Sequence, residues 1–354
     1  QGFDTVSGGG SDVASGPHAT VSGGDENQAL VDEATVGGGS HNTARGVGAT
    51  VSGGVTNTAS ADYATVGGGG WNNAIAAFAS IGGGHGNKAT VDEATVSGGT
   101  DNAASAHAAT VGGGEENQAT ADWDTIGGGA ANFAEGPHAT IGGGDGNTAT
   151  FPGATVSGGM TNTATADYAT VGGGAWNNAT APYATVGGGT HNYATANDAT
   201  IGGGTHNSAD NRAATVGGGE NNHSVDKYTT IAGGADNHAG GVPGAAPGDY
   251  ATVGGGLANQ AVGHASTIPG GESNFAGGNH SFAAGLMAQA SFPGTFVWAD
   301  SIGAPFPVAP PAPVVLQADQ FMVRANGGVY FENGPAVGQW LAPGAPAWAA
   351  VSDR

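Results

Sequence analysis

The sequence contains no cysteine, and only 6 of its 354 residues are lysine or arginine, against 28 aspartates and glutamates. Six scattered basic residues in a chain of formal net charge −22 cannot build the basic stripe that nucleic acid or an anionic membrane surface requires. No apolar run approaches the roughly 20 residues of a membrane-spanning helix. The composition therefore excludes nucleic acid as a partner and direct insertion into a membrane.

Glycine is abundant, with 72 residues, and it recurs in a strict period rather than at random. The consensus of the repeat is Ala-Thr-Val-Gly-Gly-Gly-x-x-Asn-x-Ala-x-x-x-x. About nineteen units of this kind follow one another, and most are fifteen residues long. Units start at Asp4, Ala19 and every fifteen residues to Ala214, then at Thr229, Ala251, Ser266 and His280, with the Ser266 unit one residue short.

A repeat of fifteen residues is too short for a helical hairpin and suits one solenoid coil of two short strands and two turns. Val or Ile at the third position is β-branched and packs well inside such a coil. Gly at the sixth position and Ala at the eleventh fit a narrow interior in which backbones approach closely. The period predicts an all-β fold, a parallel β-roll or solenoid of about nineteen coils.

The ninth position is Asn in seventeen units, and its side chains are expected to stack at coil spacing into a structural Asn ladder. A row of amides that binds a glycan or another ligand is the alternative interpretation. The column consists of Asn27, Asn42, Asn57, Asn72, Asn87, Asn102, Asn117, Asn132, Asn147, Asn162, Asn177, Asn192, Asn207, Asn222, Asn237, Asn259 and Asn274.

Each coil has a small interior, because Val and Ala are its only regular apolar residues, and a single chain is therefore expected to be marginally stable. Lateral association is the natural remedy, and we expect a parallel homotrimer of rods roughly 90 Å long at ~4.8 Å per coil. The variable positions form the outer surface. Their exposed aromatics suit either an adhesive surface or packing between subunits, and the candidate contacts are Trp71, Trp176, Tyr63, Tyr168 and Tyr183.

The repeats span residues 4–295, with an inserted loop near residues 239–249. Residues 296–335 are expected to form a connector or cap. Within it, residues 320–331 predict a β-hairpin around an Asn-Gly-Gly turn, and such a cap would cover the open edge of the solenoid. Residues 336–354 form a C-terminal tail.

The segment His280-Ser-Phe-Ala-Ala-Gly285, with Ala288 and Ala290, resembles the head repeats of trimeric autotransporter adhesins and related bacterial and phage fibre proteins. The resemblance implies a left-handed parallel β-roll and a homotrimer. The strings Phe-Val-Trp-Ala-Asp300 and Gln320-Phe-x-Val-Arg-Ala-x-Gly-Gly-Val are similar to the junction that follows such heads. The final Ser352-Asp-Arg resembles the start of a tail-spike intramolecular chaperone, which implies that Ser352 cleaves its own chain; a plain disordered tail is the alternative.

No cofactor or metal is expected. The Gly-Gly-Gly strings lack the Lys and helix of a nucleotide-binding loop, the His residues lack metal-ligand spacing, and acidic pairs such as Asp32-Glu33 are typical of a solvated surface.

The chain begins at Gln1 without Met, as a processed, exported chain does, which favours an extracellular or cell-surface location. Self-cleavage apart, an enzyme is not expected.

Three functions are compatible with these features. The first is an extracellular structural fibre subunit, a homotrimeric rod that stacks end to end into a filament. The second is an adhesin head that binds a host, matrix or other surface ligand, including a carbohydrate. The third is an ice-binding solenoid, suggested by the column of Thr5, Thr20, Thr35 and their equivalents, although one Thr per coil is few for a flat ice-binding face.

Overall fold

The computed structural model describes residues 3–241, 247–301, 303–306, 317–334, 337–341 and 349–352. These residues form short strands, isolated bridges and turns, with no helix among them. The expectation of an all-β, parallel solenoid of about nineteen coils of about fifteen residues is confirmed. The chain divides into two units, Gln1–Gly203 and Gly204–Arg354, and both contain the same kind of coil.

We number the positions of a coil from the alanine of the Ala-Thr-Val motif, so that Ala19 is position 1 of its coil. Positions 2 and 3 form one strand, and positions 10 and 11 form a second. Position 7 adds a parallel bridge to the next coil. Each strand pairs in parallel with its equivalent fifteen residues later, as Thr20 does with Thr35. Each position of the repeat therefore forms a column along the stack.

The strands of positions 2 and 3 form the first ladder. In the unit Gln1–Gly203 they are Thr5–Val6, Thr20–Val21, Thr35–Val36, Thr50–Val51, Thr65–Val66, Ser80–Ile81, Thr95–Val96, Thr110–Val111, Thr125–Ile126, Thr140–Ile141, Thr155–Val156, Thr170–Val171, Thr185–Val186 and Thr200–Ile201.

The strands of positions 10 and 11 form the second ladder. In the same unit they are Val13–Ala14, Gln28–Ala29, Thr43–Ala44, Thr58–Ala59, Asn73–Ala74, Lys88–Ala89, Ala103–Ala104, Gln118–Ala119, Phe133–Ala134, Thr148–Ala149, Thr163–Ala164, Asn178–Ala179 and Tyr193–Ala194.

The unit Gly204–Arg354 repeats the two ladders and then departs from them. Its strands are Ser208–Ala209, Thr215–Val216, His223–Ser224, Thr230–Ile231, His238–Ala239, Thr252–Val253, Gln260–Ala261, Thr267–Ile268, Gly271–Glu272, Phe275–Ala276, Phe282–Leu286, Gln289–Ala290, Phe296–Ala299, Phe321–Arg324, Val329–Gly334, Val337–Leu341 and Ala349–Ser352.

Backbone hydrogen bonds explain why such short strands are stable. The Thr20 N–H donates to the Ala34 carbonyl at 2.9 Å, and the same bond to the next coil recurs at positions 4, 7, 10 and 12. Bonds in the opposite direction start at positions 8 and 15, as from the His41 N–H to the Asp25 carbonyl at 3.0 Å. Adjacent coils are therefore joined along most of the repeat, although no strand of the regular coil exceeds two residues.

The interior consists of small side chains that are completely covered within one chain. From the second coil onward, Val or Ile at position 3 and Ala at positions 1 and 11 are fully buried, as Val36, Ala34 and Ala44 show. The sequence pattern predicted the Val and the second Ala. The burial of position 1 was not anticipated, because its Ala precedes the strand and carried no separate signal.

Glycine at position 6 is required by the close approach of two coils. Gly39 has a φ of 89°, and a Cβ on it would collide with the carbonyl oxygen of Gly54 in the next coil. A side chain at this position therefore meets both a steric and a conformational obstacle.

The single-residue shortening near the end of the repeats lies elsewhere than expected. Phe282 pairs with Thr267, so the coil that begins at Ser266 has its full length and the buried Ser281, not His280, occupies the next position 1. The expected short unit at Ser266 is wrong. Gly285 pairs with Gly271, only fourteen residues earlier, so the missing residue lies between Phe282 and Gly285, where one longer strand replaces strand and turn.

The inserted loop near residues 239–249 is described only at its two ends, since residues 242–246 lie outside the described residues. One carboxylate oxygen of Asp226 accepts the N–H groups of Gly241 and Gly248, each at 2.6 Å. The strand Thr252–Val253 then resumes the first ladder and pairs with Thr230–Ile231. Asp226 thus ties the base of the loop and lets the coil continue in register.

The first ladder continues beyond residue 295, where the repeat pattern ends. Phe296–Ala299 pairs in parallel with Phe282–Leu286, and Phe321–Arg324 pairs in parallel with Phe296–Ala299. The Arg324 guanidinium contacts Asp300 at 2.8 Å in a largely buried ion pair and donates to the Ala304 carbonyl at 2.7 Å. This residue therefore fastens the last strand of the ladder.

The hairpin expected within residues 320–331 is not formed. The turn is present, and Gly328 donates its N–H to the Ala325 carbonyl at 3.0 Å. Its two flanking strands belong to different sheets, because the first adds to the open edge of the ladder. The second, Val329–Gly334, pairs antiparallel with Val337–Leu341, which pairs antiparallel with Ala349–Ser352. The Pro-rich residues 307–316 lie outside the described residues.

Candidate functional site

The Asn column lies inside the coils rather than on their surface. Each of its side chains is at most 1 % exposed. Asn57 is representative: its Nδ2 donates to the Gly53 carbonyl at 2.9 Å and to the Gly69 carbonyl of the next coil at 3.0 Å. Its backbone N–H donates to Asn42 Oδ1 at 3.0 Å. The amides therefore bind the protein's own backbone and offer nothing to a ligand.

The two exceptions to the Asn column lie at its ends. Asp12 stands at position 9 of the first coil, and its Oδ1 accepts the Asn27 N–H at 2.8 Å. In the other unit, Ala288 takes the last position of the column and donates its N–H to Asn274 Oδ1 at 2.9 Å. The Asn column of the first unit therefore begins with an acceptor side chain, and the Asn column of the second unit ends with a donor N–H. These substitutions leave the direction of the hydrogen bonds unchanged.

The aromatic candidates occupy two corners of the coil where the backbone is left-handed. Trp71 and Trp176 lie at position 8 and have φ values of 62° and 52°. Tyr63, Tyr168 and Tyr183 lie at position 15 with φ values of 55–59°. All five side chains are exposed, from 42 % for Trp176 to 58 % for Trp71 and Tyr183. The corners project them from the narrow core.

Several of these rings stack on their equivalents in adjacent coils. Tyr168 and Tyr183 are stacked with centroids 5.5 Å apart, and Trp176 is stacked on His191 at 5.0 Å. Tyr63 stacks on Phe78 at 5.3 Å, and its other face lies against the backbone of Gly48. Both faces of the Tyr63 ring are thus covered within the chain, whereas Trp71 has no ring partner in the described residues. The structure shows these tyrosines packed on neighbouring rings within a single chain. The adhesive surface and the packing between subunits both stay predictions.

Several acidic residues of position 14 also contact backbone rather than one another. Asp62 accepts the Val47 N–H at 2.9 Å, and Asp92 accepts the Ala77 N–H at 3.1 Å, each from the preceding coil. No group of three or more His, Cys, Asp or Glu side chains that suits a metal ion occurs in the described ranges. These carboxylates stabilise the stack by capping free N–H groups.

One carboxylate departs from the pattern because it replaces the interior Ala of position 1. Asp124 is fully buried, and its two oxygens accept the N–H groups of Ala121 at 2.8 Å and Ala139 at 3.0 Å. Burial raises the pKa of the Asp124 carboxyl to about 6, and hydrogen bonds from the backbone only partly oppose this rise. The group is therefore a local weakness in the stack whenever it is ionised.

A second polar replacement is fully compensated. Ser224 takes the place of Ala at position 11, and Thr229 takes the place of Ala at position 1 of the next coil. Their hydroxyls are hydrogen-bonded at 2.7 Å, and the Thr229 hydroxyl also contacts the Asp226 carbonyl at 2.6 Å. The pair joins two core columns in the coil next to the inserted loop.

Ser352, the candidate for self-cleavage, ends the strand Ala349–Ser352 and pairs through its backbone with Val337. Asp353 and Arg354 lie outside the described residues. Self-cleavage therefore stays a prediction.

An open cavity of about 430 Å³ lies beside the last strands of the first ladder, lined by Gly285, Leu286 and residues 298–301. Trp298 forms part of its wall and is 40 % exposed. Phe282, Phe296 and Phe321 stack side by side on neighbouring strands of the same ladder. The sequence placed Phe282 in a head-like repeat and Phe296, Trp298 and Phe321 in the junction, because their clustering depends on the two additional strands that join the ladder.

No helix able to span a membrane occurs in the described part of the chain. Comparison with models of known protein families found no match, and comparison with curated proteins also found none.

Proposed function

We propose that the chain is an extracellular structural fibre subunit, a homotrimeric β-roll that stacks end to end into a filament. The observation that carries the proposal is the Asn ladder. Each buried amide is used to hold one coil to the next, so the repeated side chains that sequence alone left open as a ligand-binding row serve as scaffold. A chain whose repeated polar side chains bind its own backbone is suited to a mechanical role.

The trimer rests on the small size of the core. The largest fully buried side chains are Ile and Val, and the remaining regular apolar residues of the interior are Ala. One chain therefore buries little apolar surface per residue, and small cores generally need reinforcement by partners. Identical columns of short strands also suit association of identical chains around one axis.

Sedimentation velocity and negative-stain electron microscopy of the purified chain test this proposal together. We expect a species three times the 33.7 kDa mass of the chain, and filaments of indefinite length on the grid. Discrete short particles at the trimer mass would support a head rather than a filament. A single-chain mass at micromolar concentration would refute the homotrimer.

An adhesin head is the second candidate, and the exposed tryptophans favour it. Trp71 is 58 % exposed on a left-handed corner, and exposed Trp side chains often dominate binding energy at interfaces. Binding of the chain to an immobilised carbohydrate array, before and after Trp71→Ala, tests this function. Ile75→Ala is a matched control, because Ile75 is 46 % exposed at a different position of the same coil. Loss of binding in the Trp variant alone would favour the adhesin.

A further inference from the structure

One side of the first ladder carries no charge in either unit. It is formed by the outward side chains of positions 2 and 4. In the unit Gln1–Gly203, position 2 is Thr except for Ser80, and position 4 is Ser or Gly throughout. The charged side chains of the repeats lie at other positions, mainly 7, 8 and 12–15. The absence of charged side chains from this side of the ladder is an exception in a chain of net charge −22.

In the unit Gly204–Arg354 the same two positions become aromatic toward the last strands of the ladder. Position 2 changes from Thr267 to Phe282, Phe296 and Phe321, and position 4 becomes Trp298 on the strand Phe296–Ala299. We call these four aromatic residues the Phe/Trp face.

The Phe/Trp face is ordered and exposed at the same time. Phe282 and Phe296 stack with centroids 4.5 Å apart and ring planes within 4°, and Phe296 and Phe321 stack at 4.9 Å. Phe321 remains 63 % exposed and Trp298 40 % exposed, beside the open cavity. A contiguous apolar patch of this kind on a soluble chain usually marks an interaction site.

The distribution of charge identifies the partner as another copy of this chain. When two copies of a strongly acidic chain meet, most faces bring carboxylates together, and such like-charge contacts oppose association. Contact through the Phe/Trp face and the uncharged columns of positions 2 and 4 brings no carboxylates together. In a parallel, in-register arrangement around one axis, side chains at the same height meet near the axis, so each ring can lie against its own equivalents.

We propose that copies of this chain associate side by side, in parallel and in register, through the Phe/Trp face. This inference rests on the homotrimer of the proposed function and adds to it the residues through which the chains meet. The Phe and Trp side chains supply the apolar area that the thin coils lack.

The first test uses the absence of cysteine from the chain. Thr267→Cys places a single thiol at position 2, next to Phe282 in the ladder. Gln260→Cys places one on the second ladder, where the side chain is exposed. With a short bifunctional maleimide we expect covalent dimers from the Thr267 variant and none from the Gln260 variant. Cross-linking through Gln260 alone would overturn the proposed face.

The second test introduces charge. Phe321→Glu is expected to weaken association at least about tenfold in sedimentation equilibrium, a difference of about 1.4 kcal/mol. Leu257→Glu is the matched control, because Leu257 is a 43 % exposed apolar side chain at position 7 of the same unit, and we expect it to leave association unchanged. Far-UV circular dichroism checks the fold, and the cross-linking result decides the matter if the Phe321 variant is misfolded.

The two proposals fail in different ways. A wild-type chain that sediments as a single copy refutes both the homotrimer and the face. A wild-type multimer that is weakened by Leu257→Glu and not by Phe321→Glu refutes the face and leaves the homotrimer standing.

Discussion

Asn72 and Asn73 provide a direct test of the Asn ladder, because they are adjacent residues of the same type with opposite environments. Asn72 is fully buried at position 9, and Asn73 points outward at position 10 of the second ladder. Asn72 Nδ2 donates to the carbonyls of Gly68 at 2.8 Å and Gly84 at 2.9 Å, and its Oδ1 accepts the Asn87 N–H at 3.0 Å. We expect Asn72→Ala to be much more harmful than Asn73→Ala.

The magnitude follows from the groups that lose their partners. The Gly84 carbonyl keeps a second bond, from the Gly70 N–H at 2.9 Å. The Gly68 carbonyl and the Asn87 N–H lose the bonds that Asn72 supplies. Each such group costs about 1–3 kcal/mol when buried, and the Gly68 carbonyl is only partly buried, so we expect a loss of about 3 kcal/mol. Asn73→Ala, a surface change, should stay within about 0.5 kcal/mol.

Amide hydrogen exchange is the suitable assay, because long repeat arrays do not unfold in one two-state step. A loss of about 3 kcal/mol corresponds to about hundredfold faster exchange of protected amides in the coils around residue 72. The Asn73 variant should exchange like the wild type. Equal exchange in the two variants would show that the buried amides do not hold the coils together, and the scaffold interpretation of the column would fail.

Three further changes have defined outcomes. Gly84→Ala should destabilise its coil by more than about 2 kcal/mol in thermal unfolding, because Gly84 has a φ of 89° and a Cβ on it would collide with the next coil. Gly83→Ala is the control and should be neutral, because a Cβ on Gly83 meets open space. Below pH 4, Asp124 is protonated in both the folded and the unfolded chain. Between pH 4 and its folded pKa of about 6, Asp124 loses its proton only in the unfolded chain, so the folding stability falls as the pH rises. The difference between the two pKa values corresponds to a loss of about 2–3 kcal/mol of folding stability between pH 4 and pH 8. Asp124→Ala should remove this pH dependence, and an unchanged pH profile of unfolding in the variant would contradict the reasoning. A double-mutant cycle of Tyr168→Ala and Tyr183→Ala should give a coupling free energy of about 0.5–1.5 kcal/mol, and zero coupling would show that the ring stack is incidental.

The regular coils were predictable because one strict period contains all the information needed for one turn of the solenoid. Val at position 3 and Asn at position 9 recur without an intervening helix or long loop, and only a stack of coils brings each residue next to its own equivalent. The left-handed corners at positions 8 and 15 were harder to predict. Residues such as Trp71 and Tyr63 rarely adopt positive φ, and here the bonds to the preceding coil impose it.

The end of the solenoid was predicted less well, since its pairing depends on tertiary contacts. The Asn-Gly-Gly turn after Arg324 has the local signature of a hairpin, but the unpaired edge of Phe296–Ala299 competes successfully for the strand before it. The shortening at Phe282–Gly285 was misplaced for a similar reason, because local sequence aligns His280 as readily as Ser281 with position 1. The Phe/Trp face arises from these two features, so neither period nor motif could reveal it.

The mass of the wild-type chain in solution tests the central claim most directly. Sedimentation equilibrium across a range of micromolar concentrations should give a mass three times 33.7 kDa, with no dependence on loading concentration once the trimer is saturated. A mass of 33.7 kDa throughout that range would contradict the account, since it would show that the thin core of one chain is sufficient by itself.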